Sequence, residues 1–439
     1  MKLVRVITIF RHGARTPNNL EMGTGWDLHH ERSLGMLTVS GKLSSYVLGQ
    51  QVRKRYYKLI GDDGRDGLWK MASEPLKEWM MRSSSRKRAF ESAEYFLRGF
   101  FGYQHGLPSE EIKGFVRNAE ANNQTTVLGT SDLHQILKQD NRLGKLKKPL
   151  LILMPEKSHD KLLKSHHVEV CKHGKAKSEE IAELHLENHL NSDSKRKFRK
   201  VSESIAKAWN ISRPVSPRLM KKLADVCISH IYHHPSDSFC LKLPDIVSYI
   251  TKLGALVHSS HYNHKAYLKV SLHHLLSHLL RYLSTNTVES QKFLFFSTHE
   301  STLTPLLKLF GYKSWNQPMP YSSHLTIEVY TNQVRVLFNW EPISLPCKDN
   351  LNTPASSSGY RPVTFAALLR QQGMFSSDNE FDLYCSTPVA TKDLKRLADK
   401  LFGWWQLPLV CLSVGAAVLG WQLLKTKKLV SQLIKPKNH

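Results

Sequence analysis

Val4-Arg5-Val6-Ile7-Thr8-Ile9-Phe10-Arg11-His12-Gly13-Ala14-Arg15-Thr16-Pro17 is the stretch from which the fold of this chain is read. Its first half, Val4 to Phe10, is a nearly continuous run of β-branched and aromatic residues. Such runs mark strands buried on both faces, which occur in sheets covered by helices. In open α/β sheets ligands gather at the C-terminal ends of the strands, and the second half of the stretch lies there. Arg11 and Arg15 bring forked N–H donors suited to an anion, and Gly13 lets the backbone come close to a ligand. Between them His12 offers a neutral ring nitrogen to an electrophile. An Arg-His pair alone is common on surfaces. The string R-H-G-x-R-x-P straight after a strand is far more specific.

Two further fragments have the same design. Lys292 to Thr298 is strand-like and ends at His299-Glu300. Ser301-Thr302-Leu303 follows, then an apolar segment, Pro305 to Phe310, that reads as a short helix closed by Gly311. His-Glu alone would be an ordinary helix start with an acidic first turn. Beside the first motif, it supplies a phosphate ligand and a proton donor. The strand-like Glu78-Trp79-Met80-Met81 ends at Arg82, which is expected to add a cation at the sheet edge. Arg86, Lys87 and Arg88 fall on the first turns of the helix that follows, whose apolar residues are Ala89, Phe90, Ala93, Phe96 and Leu97.

Together these fragments resemble the histidine acid phosphatases, the acid phosphatase and phytase branch of the histidine phosphatase superfamily. Leu37-Thr38-Val39-Ser40-Gly41 through Arg53-Lys54-Arg55-Tyr56 is similar to the helix after that family's first motif. Arg82-Ser83 with Arg88 resembles its R-S-T…R segment, and His299-Glu300-Ser301-Thr302-Leu303 its H-D-x-T-L segment. Glu328-Val329-Tyr330 and Val336-Leu337-Phe338-Asn339 through Leu345-Pro346-Cys347 resemble its late strand pair. The later half is most similar to the lysophosphatidic acid phosphatases. The resemblance implies that His12 attacks phosphorus and forms a phosphohistidine. Arg11, Arg15, Arg82 and His299 hold the phosphoryl oxygens, and Glu300 protonates the leaving alcohol. It implies no metal and no cofactor, a phosphate monoester or lysophospholipid substrate, and a disulfide between Cys171 and Cys347. Two departures stand out: Glu300 replaces the usual Asp, and Ser85 stands where an acidic or polar residue is expected after the third Arg. A tethered phosphate-ester binder without turnover is the non-catalytic alternative.

The expected fold is α/β: a doubly wound, mainly parallel sheet with helices on both faces, an inserted helical cap and a C-terminal transmembrane helix. The core is placed at residues 1–104 and 226–390, and the cap at 105–225, which is polar and rich in helix formers. Helices are expected over Gly41–Leu59, Arg86–Phe100, Ser178–Leu190, Val201–Trp209 and Tyr267–Leu283. In the last, the leucines at helical spacing read as core packing.

Trp404 to Leu424 contains no charged residue. At ~1.5 Å per residue it is long enough for the ~30 Å of a bilayer's hydrocarbon. Tryptophans near its ends and the lysine-rich tail 425–439 fit a span with a cytosolic tail. That orientation puts the body in a lumen or outside the cell, and sequons at Asn123-Gln124-Thr125 and Asn210-Ile211-Ser212 agree with it. No signal segment precedes the first strand, so a tail-anchored cytosolic body is the alternative. Cys227, Cys240 and Cys385 leave the disulfide pattern open. The net charge of +25 comes mostly from lysines expected on solvated faces, and it favours phosphate esters and anionic membranes as partners. No nucleic-acid recognition module is present. The His-x-x-x-His spacings lack the company of a metal site, and the sequence leaves a homodimer open.

Overall fold

Along the first strand, β1 (Leu3–Arg11), Val6 and Phe10 enter one apolar cluster while Ile7 and Ile9 enter another. A strand that feeds two cores must lie between two layers of helix. The charge in its middle, Arg5, donates to the carbonyls of Gln291 at 2.7 Å and Tyr282 at 2.6 Å and stacks over the Tyr282 ring.

The computed structural model describes residues 2–18, 34–60, 71–107, 150–174, 192–208, 217–233, 240, 244–283, 291–312, 317–344 and 359–387. The chain divides into a unit from Met1 to Thr387 and a unit from Pro388 to His439. The second unit, with Trp404–Leu424 and the basic tail, lies outside the described residues, as do both sequons and the helix expected over Ser178–Leu190. Among the described residues no helix is long and apolar enough to cross a membrane.

β2 (Trp79–Ser83), β3 (Phe293–Thr298), β4 (His324–Tyr330), β5 (Val334–Phe338) and β6 (Glu341–Pro342) complete a six-stranded sheet ordered β2-β3-β1-β4-β5-β6. The expectation of a mainly parallel sheet is corrected. β1 and β2 run parallel to β3, but β4 pairs antiparallel with β1, and β5 and β6 continue antiparallel. Tight turns make β4, β5 and β6 an antiparallel run, whereas parallel neighbours need a long crossover; β4 itself follows the long connection 299–323.

One face of the sheet is covered by α7 (Lys265–Leu280), α8 (Glu300–Leu309) and α9 (Pro362–Gly373). Leu272, Leu275, Leu276 and Leu279 pack there on Ile7, Ile9, Leu294 and Phe296, so the leucine stripe is core. The other face is covered by α1 (Val39–Ile60) and α2 (Lys87–Phe101). Leu48, Val52, Phe96 and Phe100 meet Val6, Phe10, Phe293 and Phe295, with the Phe10 and Phe96 rings stacked at 4.7 Å. The two helices touch at glycines: a Cβ at Gly49 would come within 2.0 Å of the Phe96 carbonyl oxygen. Residues 150–153 run beside β2, where the Ser83 N–H donates to Leu153 O at 2.8 Å.

A third cluster joins α4 (Ser192–Ala208), α5 (Pro217–His233) and α6 (Pro244–Ser260) through Ile205, Leu219, Leu223, Ile250 and Leu253. Among the described residues are also the short α-helices α3 (Lys161–Lys164) and α10 (Asp378–Ser386). The expected Cys171–Cys347 bridge is replaced. Cys171 is bonded to Cys385 at the end of α10, across a Cα separation of 4.6 Å, and Cys227 to Cys240. Phe381 in a buried cluster and Asp378 on His273 dock α10 where Cys385 meets Cys171. Cys347 lies outside the described residues.

Candidate active site

Register alone brings the three fragments together. Arg11 lies opposite Thr298 on β3, and Ser83 lies opposite Ser297. The C-terminal tips of β2, β3 and β1 therefore deliver Ser84, His299 and His12 side by side. The backbone after β1 is fully engaged: His12 N–H donates to Thr298 O at 2.9 Å and Gly13 N–H to Ser92 Oγ at 3.0 Å. Gly13 is dictated by space, since a Cβ there would lie 2.0 Å from the Gly41 carbonyl oxygen at the start of α1.

His12 is buried, and its Nδ1 sits 2.8 Å from the Gly13 carbonyl oxygen. A carbonyl only accepts, so Nδ1 carries the proton and Nε2 keeps its lone pair. The Arg88 Nε donates to that Nε2 at 3.1 Å. Burial first, then the charges of Arg88, Arg15 and Arg11, hold the His12 pKa well below 6.5. The imidazole is thus neutral and its free lone pair faces a ring of cations.

Each cation is fixed. Arg11 donates to the Met319 carbonyl, pairs with Glu300 at 3.1 Å and lies 4.5 Å over the Tyr321 ring. Arg15 makes a two-pronged contact with Asp225 on α5, at 2.6 and 3.3 Å, and Ser229, one turn further on, donates to the Arg15 carbonyl. The Nε atoms of Arg11 and Arg15 are buried without partners, two donors left for an anion. Burial alone would raise the Asp225 carboxyl, but Arg15 brings it below 3.8. His299 stands at the start of α8, its ring 5.1 Å from that of His12 and its Nε2 2.7 Å from Ser84 Oγ. Its pKa is lowered by burial, then by Lys164 and Arg88.

Glu300 opens α8, where a carboxylate suits the helix dipole. Pro305 further along cannot donate to the Ser301 carbonyl, and the Tyr262 hydroxyl takes that acceptor at 3.1 Å. A cleft of about 390 Å³ opens beside Glu300, lined among others by His258, Gln317, Met319, Phe338 and Asn339.

The family model described as the histidine phosphatase superfamily (branch 2) matches residues 2–339. The chain belongs to this family. It is a phosphomonoesterase of the histidine acid phosphatase kind. No curated protein matches it in sequence. Similar solved structures include the phytase from Citrobacter braakii, at 13% identity and a TM-score of 0.57 over 89% of this chain and 100% of that one. The Klebsiella sp ASR1 phytase is 11% identical, with a TM-score of 0.56 over 88% and 100%. The Bifidobacterium longum multiple inositol polyphosphate phosphatase in complex with phosphate is 12% identical, with a TM-score of 0.54 over 86% and 94%. Likeness at these identities speaks for the fold.

The phosphatase brings Arg11, His12, Arg15, His299 and Glu300 together, but not Arg82. Arg82 shares the β2 face of Met80, which packs in the cluster containing α7. The acid that acts on it is Asp160, and its own charge is felt by His278 on α7. The third guanidinium at His12 is Arg88, in the first turn of α2. That turn leads away from the β2 tip and lets its side chain reach back to the neighbouring tip. The sequence placed Arg88 on that turn without drawing the consequence. Asp225 had no local signal, since 210 residues separate it from Arg15. Among the described residues His273, His274 and Asp378 are spaced as metal ligands could be. However, His273 accepts the Phe375 N–H on Nδ1 and donates from Nε2 to Asp378 at 2.8 Å, so this group ties α10 to α7.

Proposed function

We propose that this phosphatase hydrolyses phosphate monoesters without a metal ion, through a phosphohistidine on His12 and with Glu300 as the proton donor. The observation that carries this reading is the neutral His12 imidazole, its Nδ1 proton tied to Gly13 O and its Nε2 facing Arg88. The dianion enters between Arg11, Arg15, Arg88 and His299. The guanidiniums stabilise the charge that spreads over the equatorial oxygens, the part magnesium plays in other phosphoryl transfers. Nε2 bonds to phosphorus as the P–O bond to the leaving group breaks, and Glu300 gives its proton to the departing oxygen. Water then attacks the phosphohistidine, Glu300 takes the water's proton, and the P–N bond breaks to return His12.

The test is to trap radiolabelled phosphoryl on the enzyme during turnover. The expected adduct is acid-labile, base-stable, located on His12 and absent from His12→Ala. Label on another side chain of an active enzyme would sink the mechanism. If the wild type binds phosphate but never turns over, the protein is a phosphate-ester binder. The substrate we favour is a small phosphate monoester or a lysophospholipid, and the Trp404–Leu424 segment supports a membrane tether. Two disulfides support a body held in an oxidising lumen or outside the cell. Protease protection in sealed vesicles distinguishes this placement from a cytosolic one.

A further inference from the structure

We infer that Lys164 contacts the transferred phosphoryl group, adding a cation that none of the three strand-tip fragments supplies. The inference rests on the phosphatase reading above. Lys164 ends α3, and α3 is pinned against the tips of β2 and β3. Asp160 accepts the Ser85 N–H at 3.2 Å with one carboxylate oxygen and the Leu163 N–H at 3.2 Å with the other. The Leu163 carbonyl, one residue before Lys164, accepts the Thr302 hydroxyl at 3.0 Å in the first turn of α8. Ser85 follows the serine bonded to His299, and Thr302 follows His299 itself by three residues. Two independent anchors thus hold the Lys164 backbone beside His299, and Lys164 is the charge that His299 feels most.

The other cations of the site have carboxylates or carbonyls to answer them. Arg11 has Glu300, Arg15 has Asp225, and Arg88 donates to Gly35 O at 3.2 Å. The half-buried Lys164 ammonium has no hydrogen bond or ion pair among the described residues. The acid on its own segment, Asp160, is committed to the two backbone N–H groups. The charges that act on Lys164 besides Asp160 are of its own sign: Arg88 in the first turn of α2, Arg86 just before it, and Lys157 from the turn before α3. The titratable His166, His167 and His299 lie near it, and Glu169 is taken up by Lys157 and His167. Burial first, then Arg88 and Arg86, push its pKa down to about 7. An unpaired cation among cations is costly, and a dianion within the ring removes that cost. No ligand of the proposed reaction other than the phosphoryl group brings two negative charges to this place.

Sulfate is the probe, because it keeps both charges across the working pH range while phosphate titrates. Its affinity is measured by calorimetry and by competition with p-nitrophenyl phosphate, for wild type, Lys164→Gln and Lys164→Arg. Wild type binds tightly in mild acid and loses affinity as pH rises through about 7, where Lys164 sheds its proton. Lys164→Gln binds about tenfold or more weakly in acid and shows no decline near 7. Lys164→Arg stays tight through 7 and weakens only towards about 9, where Arg88, lowered by burial and then by Arg15, gives up its proton. His12 and His299, both lowered well below 6.5, stay neutral through this window and leave the decline to Lys164. A folded Lys164→Gln that binds sulfate as wild type does, with the same pH curve, overturns the inference. If that variant does not fold, Lys164→Arg decides: an arginine enzyme that follows the wild-type decline refutes it. A folded wild type that binds no sulfate at all overturns the phosphatase reading first.

Discussion

Exchanging Arg88 and Arg82 separately for methionine tests which guanidinium serves the chemistry. Methionine keeps much of the arginine stem and removes only the charged fork. Arg88 Nε lies 3.1 Å from the nitrogen proposed to attack phosphorus, so its fork borders the space the transferring group must occupy. Removing one fixed donor aimed at developing charge costs about 10²–10³-fold in kcat, or ~2.7–4 kcal/mol. Arg88→Met should lose that much, measured on p-nitrophenyl phosphate. Arg82→Met, whose guanidinium faces Asp160 and α7, should stay within about two- to threefold. The pH profile supplies an independent sign. His12 must be neutral to attack, and after burial Arg88 is the strongest influence keeping its pKa below 6.5. Without Arg88 the folded-state pKa rises, so the acid limb of kcat/KM moves up towards 6.5. Arg82→Met should leave that limb in place. A large loss in Arg82→Met with a small one in Arg88→Met would overturn the assignment, and an unmoved acid limb in Arg88→Met would refute the electrostatic part of it.

Glu300→Gln should lower kcat by about 10²–10⁴-fold on an alkyl phosphate and less on p-nitrophenyl phosphate, whose leaving group needs little proton help, while sulfate still inhibits. Equal losses on both esters would remove the proton-donor role. Gly13→Ala should destabilise the fold by about 1–3 kcal/mol in chemical denaturation, because the new Cβ would meet the rigid Gly41 carbonyl. A wild-type midpoint would show that the contact has room to relax. Peptide mapping under non-reducing conditions should recover Cys171 joined to Cys385 and Cys227 joined to Cys240. A Cys171–Cys347 peptide would contradict the structure.

Much of this was legible in the chain because the decisive signals are local. The apolar run of β1 feeds two cores, so its pattern announced a sheet covered on both faces. The R-H-G-x-R string and the His-Glu pair follow strands directly, and register then places their tips side by side. What escaped depends on direction and on long-range contact. Arg82 lies at the end of a strand of the right kind and Arg88 soon after it. The pleat turns Arg82 towards α7, while the first turn of α2 turns Arg88 back to His12, and a strand-end rule cannot tell them apart. The antiparallel half of the sheet was missed because the αβ alternation seen up to β3 was extended into a region of tight turns. The family resemblance points Cys171 to Cys347, whereas the docking of Phe381 and Asp378 brings in Cys385.

The two carboxylates of the pocket have different consequences, and their geometry separates them. Asp225 grips Arg15 with both oxygens and also accepts the Asn18 backbone N–H at 3.0 Å and its side-chain amide at 3.3 Å, so letting go would break four hydrogen bonds. It leaves the Arg15 Nε unpartnered and therefore still able to meet an anion while the brace stays in place. Glu300 holds Arg11 through one contact at 3.1 Å and is the first residue of its helix, where a side-chain rotation disturbs nothing behind it. In the proposed mechanism a phosphoryl dianion competing for Arg11 would displace the weaker attachment, freeing the carboxylate that lines the cleft. The extra methylene of Glu over Asp gives that swing its reach. One acid is thus a fixed support for a cation, and the other, on the proposed mechanism, is the group free to trade its arginine for the leaving oxygen.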